Sequence, residues 1–120
     1  MNEILFLVFA FSVKHFVVDF LLQVKYQYSN KGIYGHPGGI LHAFFHGVGT
    51  YVCLVWVAPI IAIYLAVADM IAHYHIDWAK TNLKEKLNWR PMTHDQFWWL
   101  LGLDQFLHAL TYIVLIGFVI

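Results

Sequence analysis

Four long apolar runs in this chain each carry ionisable side chains spaced four residues apart: His15/Asp19, His42/His46, Asp69/His73/Asp77 and Asp104/His108. On an α-helix, residues four apart lie one above the other on a single face, with β-carbons about 5–6 Å apart. Each run therefore presents one ionisable stripe on an otherwise apolar cylinder. Buried charge is expensive unless it is paired, so the four stripes must face one another. The expectation is an all-α fold: a four-helix transmembrane bundle with a polar His/Asp interior.

Composition agrees with the membrane class. The chain is 61% hydrophobic and 12% charged, with a mean hydropathy of +0.64, whereas soluble domains are about half apolar and a quarter charged. Its 120 residues are expected to form a single integral membrane domain spanning 1–120. Zero formal net charge provides no basic field for nucleic acid. The single cysteine, Cys53, excludes an intrachain disulfide and a thiolate metal cluster. Met1-Asn2-Glu3 lacks the basic region of a signal peptide, so the first apolar segment is expected to persist in the mature protein.

The first span is expected from about Asn2 to Tyr26, followed by a Gly/Pro/Asn-rich loop over 28–39. A second runs from about Ile40 to Trp56, with small residues at Gly47, Gly49 and Thr50 that admit close helix approach. Taken as one helix, segments two and three would be roughly 60 Å long, about twice the hydrocarbon thickness. The chain must therefore turn near Pro59. Segment three continues to about Asn82, and Thr93 with Gln96 reads as a capping box that opens segment four. Lys14 lies near mid-span and off the stripe, with no partner legible in the sequence. The basic residues outside the spans lie in or beside the loops around Lys31 and Lys84–Arg90. The positive-inside rule then makes that face cytoplasmic and both termini periplasmic. Every ionisable row falls in the cytoplasmic half of its helix, so the rows can meet at one depth.

Five histidines and four aspartates suit zinc first, with manganese or iron as alternatives; nine groups could hold two or three divalent ions. His15, Asp19, His42, His46, Asp69, His73, Asp77, Asp104 and His108 are the candidate ligands. His75 should point elsewhere, and His36 and His94 lie in or near loops. A single Asp/His pair would be read as helix glue, but four rows at one depth favour metal or proton chemistry. Lys80, Lys84, Lys86 and Arg90 form a basic cluster, an ordinary membrane anchor or a seat for an anionic lipid head group.

The pieces His15-x-x-x-Asp19 with Leu21-Leu22-Gln23, Asp69-x-x-x-His73-x-His75-Ile76-Asp77-Trp78-x-Lys80, and Leu103-Asp104-Gln105-x-x-His108 resemble domain-of-unknown-function family 3307, a group of small phage and bacterial membrane proteins. The resemblance spans nearly the whole chain. It implies the helical fold, the His/Asp set and a bacterial inner membrane location, and it brings no activity. A more distant likeness is to membrane-bound metal-dependent hydrolases, and beyond them to helical zinc phospholipases C, which use a tri-metal His/Asp cluster.

These readings converge on a metal-dependent hydrolase acting on a phosphoester of a lipid or lipid-linked substrate at the cytoplasmic face. Water activated by the metal would be the nucleophile. Asp77, nearest the mouth, would serve as general base, with Gln23 and Gln105 supporting the ligands. The rival readings are a proton or divalent-metal carrier, a bis-histidine haem protein, and a non-catalytic phage-type membrane protein. A homo-oligomer is a further expectation for so small a membrane protein.

Overall fold

The computed structural model describes residues 2–120, and their regular structure is entirely helical. The elements are α1 (Glu3–Phe16), a π-turn (Val17–Leu21), α2 (Lys25–Tyr28), α3 (Pro37–Leu54), α4 (Pro59–Lys86) and α5 (Asp95–Gly117). Local chemistry sets most of the starts. Asn2 caps α1 by accepting a hydrogen bond from the Leu5 amide at 2.8 Å. Pro37 and Pro59 open α3 and α4, where a missing N–H costs nothing and a fixed φ is already helical. The chain reverses between Leu54 and Pro59, as the length argument requires.

Three expectations need correction. The first segment is not one helix to Tyr26. Its regular ladder ends at Phe16, and the Leu22 amide bonds five residues back to the Val17 carbonyl at 2.9 Å. Gln23 Nε2 then donates to the Asp19 carbonyl at 2.7 Å, satisfying an acceptor that a helix end leaves free. The capping box at Thr93 does not form either. His94 takes the N-cap position of α5, and the Thr93 hydroxyl pairs with His94 Nδ1 at 2.8 Å. Finally, three helical stretches rather than four are long and apolar enough to cross a membrane: Glu3–Leu21, Pro59–Lys86 and Asp95–Gly117. The 18 residues of α3 include a Pro-Gly-Gly first turn and both His42 and His46, which dilute its apolarity.

The four long helices pack as a closed ring in the order α1, α3, α4, α5, with α5 returning to α1. The ring is 44 Å along its longest axis, about the full thickness of a bilayer with its head groups. Its surface inverts the usual distribution. Phe9, Phe20, Ile60, Tyr64, Phe106 and Ile113 are exposed, while Lys14, Asp19, His42, His46, Asp69, His73, Asp77, Asp104 and His108 are buried. Apolar side chains outside and charges inside suit a hydrocarbon solvent rather than water.

Along its axis the ring has two unlike ends. Leu7, Phe11, Leu54, Ala62, Leu65, Tyr112, Leu115 and Ile116 close one end as a continuous apolar cluster. The histidines and aspartates fill the other. Between α3 and α4, Gly47 permits the closest approach: a β-carbon there would lie 3.1 Å from the Ala66 carbonyl oxygen and 3.3 Å from Met70 Cβ. Gly47→Leu is therefore expected to lower stability by about 1–3 kcal/mol through overpacking. At Gly102 a β-carbon meets nothing within 4 Å, and Gly102→Ala should stabilise α5 by up to about 1 kcal/mol. Thermal unfolding in detergent checks both, and equal behaviour of the two variants would contradict this packing.

Candidate metal centre

The π-turn is where the centre begins. It carries Asp19 into the interior beside His42 and His46 of α3, while His15, one turn earlier on α1, reaches α5. His73 and Asp77 approach from α4, and Asp104 and His108 from α5. All four long helices thus supply the site, from the ends that the sequence placed at one depth.

Two groups of side chains are close enough to hold an ion. Asp19, His42, His46 and His73 form the first; His73, Asp77 and His108 form the second, with ligand atoms in each group within 4.8 Å of one another. In the first, Asp19 Oδ1 lies 3.0 Å from His42 Nε2, 2.8 Å from His46 Nε2 and 3.7 Å from His73 Nε2. His42 and His73 face each other through their Nε2 atoms at 3.2 Å. Ligands about 2.0–2.1 Å from a tetrahedral zinc are separated by roughly 3.3 Å, so these separations fit the edges of such a polyhedron. The imidazoles are held by mutual packing: His73 stacks on His46 with 3.5 Å between ring centroids and on His108 with 4.1 Å.

Hydrogen-bond direction distinguishes ligand candidates from supports. Gln27 is buried, and its Oε1 lies 3.3 Å from His42 Nδ1. That pairing places the His42 proton on Nδ1 and leaves the Nε2 lone pair aimed at the centre, the tautomer a metal ligand needs. A lone pair facing a carboxylate oxygen at 3.0 Å is repulsive without a cation between them, a metal ion or a proton. His15 has the opposite arrangement. Gln105 Nε2 donates to Asp104 Oδ2 at 3.1 Å, which fixes the amide so that its Oε1 accepts from His15 Nε2 at 2.9 Å. The Tyr112 hydroxyl donates to His15 Nδ1 at 2.9 Å. Both nitrogens of His15 are engaged, and it orients Asp19 and Gln105 instead of offering a lone pair.

Of the nine residues expected as ligands, the structure gathers Asp19, His42, His46, His73, Asp77 and His108 into these two groups and leaves His15, Asp69 and Asp104 outside them. Asp69 accepts from Lys14 Nζ at 2.6 Å and from the Thr50 hydroxyl at 2.5 Å, one helical turn from His73 towards the apolar end. Lys14, which had no legible partner, is thereby placed: its stem crosses α3 at Gly49, and its ammonium lies 4.3 Å from the centre of the Tyr112 ring. Asp104 accepts from Lys80 at 3.3 Å and sits 3.2 Å from His108 Nε2. His75 points away from the centre, donating from Nδ1 to the Ile71 carbonyl and accepting from the Tyr34 hydroxyl.

Sequence reasoning missed two residues. Gln27 continues the polar stripe four residues beyond Gln23 and could have been found on that ground. Lys31 was read as a loop cation, yet it is buried with Nζ 2.7 Å from Asp77 Oδ2. The loop folds back because α4 ties it down: Asn82 donates to the Gly32 carbonyl and the Tyr74 hydroxyl accepts from the Gly35 amide. Gly35 itself takes φ +81°, a conformation that favours glycine.

Fold and site together define a class: an all-helical protein with three helical stretches long and apolar enough to cross a membrane and a buried His/Asp cluster that could hold a metal ion. Residues 7–120 match the family described as "Protein of unknown function (DUF3307)", and the chain belongs to that family. No curated protein and no solved structure matches it, so no hydrolase is among the matches.

Proposed function

We propose that this protein is a metal-dependent hydrolase embedded in the bacterial inner membrane, acting on a phosphoester of a lipid or lipid-linked substrate. The observation that carries the reading is the convergence of three imidazole Nε2 atoms on one Asp19 carboxylate oxygen within a buried site. Three His and one Asp are a zinc-type donor set, with manganese and iron next. With a position left for water or substrate beside the protein ligands, such an ion would supply Lewis acidity to a phosphoryl oxygen and acidify water. Asp77 would act as general base. Its Oδ2 lies 3.3 Å from His73 Nε2 and 3.4 Å from His42 Nε2, and Lys31 fixes its orientation.

The lipid assignment rests on an apolar groove of about 350 Å³ between α4 and α5, lined by Ile76, Leu83, Leu100, Leu103 and Leu107, with Lys80 and Asp104 also in its wall. An acyl chain fits the apolar wall while Lys80 and Lys84 attract the phosphate, with Lys86 and Arg90 at the surface. In this reading all four long helices make a transmembrane bundle, its His/Asp half is cytoplasmic beside the basic loops, and both termini are periplasmic. A homo-oligomer would further shield α3 from lipid. A carrier is disfavoured because the Leu7/Phe11/Leu54/Tyr112 cluster blocks the other end. A haem is disfavoured because the stacked His46 and His73 rings leave no gap for a porphyrin.

The test is phosphate release from phospholipid and lipid-linked phosphoesters by protein reconstituted in vesicles. Activity should disappear with a chelator, return with zinc, and fall by at least about 100-fold in Asp77→Asn. Hydrolysis that ignores the chelator would end this proposal.

A further inference from the structure

We propose that the centre holds one divalent ion, bound by Asp19, His42, His46 and His73, and that the ammonium groups of Lys31 and Lys80 stand where a polynuclear site would need further metals. This inference rests on the metal reading above and revises the expected two or three ions to one.

The first argument is ligand supply. His73 belongs to both candidate groups, and an imidazole Nε2 has a single lone pair to give. The same Nε2 is the atom that approaches both Asp19 and Asp77, so the two groups compete for it. Once His73 completes the four-ligand set, the other group is reduced to Asp77 and His108, with Asp104 the nearest further carboxylate, and a second ion there must compete with the lysines that hold these aspartates. His108 Nε2 hydrogen-bonds Asp77 Oδ1 at 3.3 Å and has Asp104 Oδ1 beside it at 3.2 Å, so two carboxylates already surround this one nitrogen.

The second argument is charge. Asp77 is already matched by Lys31 at 2.7 Å and Asp104 by Lys80 at 3.3 Å, while Asp69 lies apart with Lys14. Asp19 alone among the four aspartates has only histidines as ion-pair partners. With neutral imidazoles, Asp19, Asp77, Asp104, Lys31 and Lys80 together leave one negative charge. One dication turns this into a single positive charge; a second would leave three positive charges on a largely buried cluster, which is costly where water screens little. Lys31 is the residue that decides the number, because it is held by a loop fastened to α4 rather than free to swing away.

The experiment is a zinc titration of the full-length protein in detergent, against a chromophoric chelator, with bound metal counted by plasma mass spectrometry. Wild type should bind one equivalent. Lys31→Met and Lys31→Gln, each checked for a monodisperse folded species, should bind two, because Asp77 is released to a second ion beside His108 and Asp104. Lys31→Arg should remain at one. Two or more equivalents in wild type would overturn the inference and leave the hydrolase proposal standing, as would Lys31→Met and Lys31→Gln both remaining at one. No bound zinc in folded wild type would overturn the inference together with the metal reading beneath it.

Discussion

In His73→Ala, zinc affinity is expected to drop by at least about 100-fold, more than the 10–100-fold typical of losing a residue that merely supports a ligand. No other residue is shared by the two candidate groups, so its removal disables both at once. His73 also lies between the His46 and His108 rings, and its loss leaves a void among fully buried side chains. Cavity formation of this kind costs about 2–5 kcal/mol, so the metal-free variant should also melt earlier. His75→Ala, two residues away on the exposed face of α4, should keep the zinc content of wild type. Plasma mass spectrometry on the two variants side by side checks this. Full metal content in His73→Ala would mean that the ion is held by other residues and that neither candidate group is its site.

A second large effect is expected at the other buried cation. Lys14→Met should destabilise the protein by about 3–5 kcal/mol, the cost of leaving one partner of a buried ion pair uncompensated. The pair is well isolated: Lys14 and Asp69 are 4% and 1% exposed, and the Thr50 hydroxyl is the only other hydrogen-bond donor to Asp69 among the described residues. The double variant Lys14→Met/Asp69→Leu should recover much of that loss, because two apolar side chains replace two charges. Zinc binding should persist in the double variant, since Asp69 is outside both ligand groups. Unfolding in detergent measures the stabilities. A loss below about 1 kcal/mol in Lys14→Met would show that Asp69 does not depend on Lys14 for compensation.

The i, i+4 rows were legible because a helix translates sequence spacing directly into facing side chains. His42/His46 and His73/Asp77 needed no tertiary knowledge to be set on one stripe, and depth along each span brought the stripes together. Asp69 joins the row on the same logic, yet lies outside both candidate groups. Spacing places it in line with His73, but it cannot reveal that Lys14, one residue before His15 and on a different helix, reaches it first. Lys31 failed for a related reason. A lysine in a glycine-rich loop is usually solvated, and only the ties from Asn82 and Tyr74 turn it inward. The π-turn at Asp19 was invisible because one extra residue in a helical turn leaves no compositional trace. Direct helix packing showed the ring order, which periodicity leaves undetermined.

In the transmembrane bundle proposed above, the Lys14–Asp69 pair also imposes an order on biosynthesis. Its partners are 55 residues apart, and chain growth of about 5–20 residues per second puts roughly 3–11 s between their synthesis. During that interval the span Glu3–Leu21 carries a lysine near its middle whose carboxylate does not yet exist, at a cost of about 2.5–3.5 kcal/mol on the insertion scale. The first helix therefore has reason to linger at the insertion machinery, or to hold its lysine towards a water-exposed surface, until α4 emerges. Closure of the ring is then a late event, in which the third long helix delivers the counter-charge that lets the first one settle into lipid.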